Sequence, residues 1–127
     1  MTRLRRITLV AAGGAFGGLL RILVAMLVPL AAERPEWSAI ALLAVNLSGS
    51  LAAGFLRGIL GRDDEALDAF LLAGLCGGYT SYSGFVAASV GDSAWISAAT
   101  LVLCPIAALL GMRLSGGYPA RSAGNPR

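Results

Sequence analysis

Few side chains in this sequence can do polar chemistry, and most of those that matter lie inside apolar stretches. Asn46, Ser50, Gly54 and Gly58 recur at intervals of four, which places a polar and small-residue stripe along one slowly drifting helix face. Two uses of Asn46 stand open. Its amide can hydrogen-bond a neighbouring helix, or its NH2 group can donate to an anion that must give up water, with no charge repulsion. Arg21 sits well inside an apolar run, where a guanidinium needs a partner or a water-filled vestibule. There it either attracts anions or snorkels toward an interface on its long stem. Gly74-Leu75-Cys76-Gly77-Gly78-Tyr79-Thr80-Ser81-Tyr82-Ser83-Gly84-Phe85 crowds glycines and hydroxyls into a third apolar region. A helix broken there would free carbonyls able to coordinate a cation, while an unbroken one would turn its hydroxyls onto its own backbone.

What is missing narrows the chemistry further. The acidic residues Glu33, Glu36, Asp63, Asp64, Glu65, Asp68 and Asp92 all fall in expected loops or at span ends, and there is no histidine. Proton-coupled export needs a titratable group within the bilayer, so passive transport is expected instead. No acid, base or activated nucleophile is in place for hydrolysis, and no enzymatic activity is expected. Gly13 to Gly18 has the spacing of a phosphate loop but continues as Leu19-Leu20, without the lysine and hydroxyl that hold a nucleotide. Cys76 and Cys104 lack a CxxC spacing and read as packing residues.

The elements that must position these residues are membrane spans. The chain has 127 residues, 57% hydrophobic and 13% charged, with a mean hydropathy of +0.75. A soluble domain carries about a quarter charged residues, and a chain this small could not cover such an apolar interior in water. Charge and turn residues mark four spans at roughly 7–31, 38–60, 67–90 and 94–114. The opening resembles a signal peptide, but its apolar run passes Arg21 and reaches about Ala32 without a cleavage signal. Trp37 is expected as an interfacial anchor after the first loop, and the second and third loops are 61–65 and 91–93. Residues 1–114 are expected as one transmembrane domain and 115–127 as a disordered cytoplasmic tail.

All ten basic residues are arginines. They concentrate at the N-terminus, around the second loop and in the tail, whereas the first and third loops hold only Arg34. That bias places both termini in the cytoplasm of a bacterial-type cell membrane, with lipid headgroups rather than nucleic acid as the arginines' partners.

Taken together, these residues resemble the CrcB/Fluc family of fluoride channels from Gly13 to about Arg113. Gly13-Gly14 leading to Arg21, and Val45-Asn46 followed by Gly49-Ser50, are similar to the family's first two spans. Gly74 to Phe85 aligns without a gap on the family's Gly-Phe-Cys-Gly-Gly-Phe-Thr-Thr-Phe-Ser-Thr-Phe. The resemblance implies four transmembrane helices, the third broken mid-membrane, in an antiparallel dimer with two fluoride pathways. It also implies a structural sodium ion held by the backbone carbonyls of Gly77 and Thr80 from both subunits, oxygen ligands that suit a hard cation. Asn46, Ser81, Tyr82 and Phe85 correspond to the anion pathway, with the aromatic ring edges facing the ion, and Arg21 to its vestibule.

Some positions depart from the family's pattern. Tyr82 stands where the first pore phenylalanine is expected, Gly84 replaces a threonine, and Ala41-Leu42 replaces Gly-Thr, removing a hydroxyl donor. The fourth span offers mainly Ser97 and Thr100 as hydroxyls. Subunits that insert in both orientations should carry little arginine bias, so the chain is expected to be half of a heterodimer with an oppositely oriented paralogue, a homodimer being the other arrangement. The rival functions are a small multidrug or guanidinium exporter, which requires a glutamate in the first span, and a non-conducting membrane scaffold.

Overall fold

The computed structural model of the chain describes residues 1–26, 35–60, 64–90 and 94–116, the side chains of residues 35–38 excepted. The side chain of Trp37, parts of the first and second expected loops, the whole of the third and the tail beyond residue 116 lie outside the described residues. Every described element is helical: α1 (Arg3–Met26), α2 (Pro35–Leu60), α3 (Glu65–Leu67), a π-helical segment (Asp68–Cys76), α4 (Gly77–Tyr79), α5 (Tyr82–Ser89) and α6 (Ala94–Leu114). Three stretches are long and apolar enough to cross a membrane: α1, Ala39–Leu60 within α2, and α6. The stretch expected as a third span, 67–90, is not among them. Glu65 to Tyr79 winds without interruption, Thr80 and Ser81 are extended, and α5 resumes the helix.

The helices associate as two pairs. α1 lies against the π-helical segment and α4, and α2 lies against α6, whereas α1 scarcely touches α2. Glycines make both pairings possible. A Cβ placed on Gly13 would strike the Phe70 carbonyl, and one on Gly17 would strike the Leu75 carbonyl oxygen while standing 2.7 Å from the Tyr79 nitrogen. On the facing side, Gly74 stands against Gly13 and Gly78 against Gly14. Ala69, Gly74 and Gly78 are five and four residues apart, a spacing that the wide i→i+5 winding can hold toward one neighbour. In the other pair, Gly54 meets the backbone of Ala108 and Gly111 that of Leu51.

Small residues therefore fill the interior and large ones face out. Among the described residues Ile96 is the one large side chain buried almost completely, at 1% exposure, while Leu4, Phe16, Leu101 and Val102 are each exposed by more than half. Water would penalise that distribution, whereas hydrocarbon leaves close backbone packing as the force holding helices together. Polar links gather at the arginine-rich end. The Met1 ammonium meets Glu65 at 3.1 Å and Arg57 meets Asp68 at 2.8 Å. Asp64 Oδ1 caps α3 by accepting from the amides of Ala66 and Leu67.

Candidate functional site

The candidate site is built around the two extended residues, Thr80 and Ser81. A chain that leaves helical geometry loses its i→i+4 bonds, and in an apolar environment each released group needs a new partner. Asn46, buried at 6% exposure, supplies two of them. Its Oδ1 accepts from the Ser81 amide at 2.8 Å, and its Nδ2 donates to the Ser81 carbonyl at 3.4 Å. The side-chain amide thus pairs with one residue's backbone much as a neighbouring strand would. One of the two Nδ2 hydrogens remains for another acceptor.

Hydroxyls satisfy further groups. Ser81 Oγ caps α5 by accepting from the Gly84 amide at 3.2 Å. Thr80 Oγ1 donates back to the Cys76 carbonyl at 3.0 Å and lies 3.5 Å from that of Gly77. Because the Ser81 amide is turned to Asn46, Gly77 loses the donor that a continuing helix would supply. The Thr80 carbonyl accepts from Arg21 Nη1 at 3.2 Å.

Two cavities flank the break, and Ser81 lines both. The larger, about 320 Å³, is bounded by Asn46, Ser50, Thr80, Ser81, Tyr82, Phe85, Thr100, Leu101, Cys104 and Pro105. The smaller, about 210 Å³, is bounded by Arg21, Val24, Ala25, Ala41, Leu42, Val45 and Ser81. Tyr82 and Phe85 stack near parallel, with centroids 5.8 Å apart and planes at 23°. Phe85 is also tied by its backbone, its carbonyl accepting from Ser97 Oγ on α6 at 3.0 Å. Tyr82 is 79% exposed.

All seven residues singled out from the sequence lie at or next to the break. Gly77 precedes it, Thr80 and Ser81 form it, Tyr82 and Phe85 follow it, and Asn46 and Arg21 reach it from α2 and α1. Sequence reasoning passed over Cys104 as packing and used Gly49 and Tyr79 only as part of the family's motifs, assigning neither a role at the site. Cys104 instead lines the larger cavity, while Cys76 is buried as expected of a packing residue. Gly49 lets α2 approach the break, since a Cβ there would stand 2.6 Å from Thr80 Cγ2 and 3.0 Å from Tyr79 Cδ1. Tyr79 returns a hydroxyl contact to Ser48 at 3.1 Å. Only their position beside the stripe and the glycine-rich segment signalled these residues.

Two departures from the family's pattern prove to be neighbours. A Cβ on Gly84 would stand 2.7 Å from Leu42 Cδ1 and 3.1 Å from Ser81 Oγ, so the smaller residue at 84 makes room for the larger one at 42. Gly84→Thr alone should lower the melting midpoint through overpacking, and adding Leu42→Thr should recover it. A thermodynamic cycle over the two positions is expected to give a coupling of at least about 1 kcal/mol. Additive effects would reject the pairing.

Outward-facing bulky side chains, glycine crossings and a hydrogen-bonded break between two cavities define a small all-helical membrane protein. Chemically, such a break can offer an ion amide and hydroxyl donors on one side and backbone oxygens on the other. A match to the family described as CrcB-like protein, Camphor Resistance (CrcB), spans residues 8–116. The chain belongs to that family. It is 34% identical over 116 residues to the fluoride-specific ion channel FluC of Rhodospirillum rubrum, covering 83% of this chain and 87% of the relative. It is 32% identical over 123 residues to FluC of Gluconobacter oxydans, covering 87% and 84%. The match to FluC 1 of Rhodopseudomonas palustris is 42% identical over 84 residues and spans 61% of this chain but only 57% of that relative. No solved structure gives a significant match.

Proposed function

We propose that the chain is a subunit of a passive fluoride channel in the cell membrane, exporting cytoplasmic fluoride and so limiting its toxicity. Its relatives are named as fluoride-specific ion channels, not as enzymes. The observation that carries the reading is the break at Thr80 and Ser81, where Asn46, hydroxyls and two aromatic side chains border a cavity and, among the described residues, no carboxylate lines it. A small, strongly hydrated anion needs donors in place of its water, and a carboxylate beside them would repel it. Fluoride needs no energy source to leave. Hydrogen fluoride enters uncharged and ionises inside, and the inside-negative potential drives the anion out.

In this reading residues 67–90 form a third transmembrane span broken near mid-membrane, giving four spans within residues 1–114, with 115–127 as a cytoplasmic tail. Asn46, Ser81, Tyr82 and Phe85 border the anion pathway and Arg21 its vestibule. Two copies, or this chain and an oppositely oriented paralogue, meet across the exposed Tyr82 side, and the arginine bias favours the paralogue. The Gly77 carbonyl, without its helical donor, suits a sodium ion shared between subunits. The Thr80 carbonyl fits that ion less well, because it already holds a cationic side chain. Nothing in the cavities favours a drug exporter or a scaffold.

Fluoride release from liposomes, followed with a fluoride electrode, tests the proposal. The chain together with its paralogue should release fluoride and leave chloride behind, with little release from the chain alone. Full release from the chain alone would discard the heterodimer, and no release from either preparation would discard the channel.

A further inference from the structure

The break carries a cation belonging to the chain itself. Arg21 lies in α1, flanked by Leu20 and Ile22, and the ion pairs among the described residues, Met1–Glu65 and Arg57–Asp68, do not include it. Its partner is the Thr80 carbonyl, 59 positions away, reached by Nη1 at 3.2 Å. A guanidinium inside an apolar span is stable only against groups that offset its charge. Glu65 to Tyr79 is one helical run whose carbonyl end, carrying the negative pole of the backbone dipole, terminates at this point. Each side therefore meets the other's electrostatic need.

We infer that Arg21 is the resident cation of the break: within one subunit its guanidinium supplies the charge that the dimeric-channel reading assigns to a free sodium ion, so the break folds without an exchangeable cation. The comparison with sodium rests on that reading, whereas the contact itself lies within a single chain. A carbonyl oxygen has a second lone pair, so an ion is not sterically barred from Thr80. Like charges sharing one oxygen repel, however, and more strongly where water is scarce. Sodium is consequently a weak ligand of this chain. Removing the guanidinium should turn an indifferent site into a sodium-dependent one.

The test is thermal melting of the purified chain in detergent, in sodium chloride and in N-methyl-D-glucamine chloride. The unaltered chain should melt within about 2 °C in the two salts, while Arg21→Gln should melt at least about 5 °C lower without sodium. Sodium should restore at least half of that loss. A fall of about 5 °C or more in the unaltered chain on sodium removal would overturn the inference. So would an Arg21→Gln protein that melts like the unaltered chain in both salts. Should Arg21→Gln fail to fold, Arg21→Lys, which keeps a cation, decides: indifference to sodium is expected, and dependence on it overturns the inference. Fluoride release from the chain together with its paralogue is scored separately in sodium chloride, so that absent release there with the expected melting counts against the channel and not against Arg21.

Discussion

Asn46→Ala is expected to lower both fluoride release and melting temperature, release falling by at least about tenfold. The part-buried Ser81 amide has Asn46 Oδ1, itself buried, as its partner at 2.8 Å, and alanine leaves it with none. An unsatisfied buried donor costs about 1–3 kcal/mol, and 1.4 kcal/mol is already a factor of ten. The Ser81 carbonyl suffers less, because the Phe85 amide also reaches it at 3.3 Å. Loosening Ser81 should shift the cap of α5 and, with it, Tyr82 and Phe85 along the cavity wall. Melting and release measured on the same preparation separate two roles of the amide. A fall in both assigns Asn46 to holding the break, lost release with unchanged melting assigns it to the anion alone, and wild-type behaviour in both removes it from the site.

The other large effect concerns helix packing. Gly17→Leu is expected to prevent α1 from seating on the π-helical segment, whereas Gly18→Leu, one position away, should be tolerated. A Cβ at Gly17 meets the Leu75 carbonyl and the Tyr79 nitrogen, backbone atoms that can yield only if the helices separate, while at Gly18 nothing lies within 4 Å. Overpacking costs about 1–3 kcal/mol, occasionally more, and leucine at this crossing belongs at the upper end. Loss of the folded peak in size-exclusion chromatography for Gly17→Leu, with Gly18→Leu within about 0.5 kcal/mol of the parent, is the expected pair of results. Equal effects at both positions would show that α1 does not pack on that face.

Membrane class and helical content were legible in the sequence because hydropathy and periodicity are properties of consecutive residues. Among the described residues no carboxylate lines the larger cavity, and the sequence placed each acidic residue in an expected loop or at a span end. The glycine-rich segment also announced itself, and the four-residue stripe correctly put Asn46 on a packed face.

Which groups meet was a different matter. The overlapping pairs Gly13/Gly17 and Gly14/Gly18 are equivalent on paper, yet Gly13 and Gly17 are the buried ones, chosen by the rotation of α1 against its neighbour. Asn46 with Ser81, Arg21 with Thr80 and Leu42 with Gly84 are joined across 35, 59 and 42 positions. No local pattern encodes such pairs. A hydrogen bond or a steric fit depends on the relative placement of whole helices, and that placement exists only once the glycine crossings have brought the backbones together.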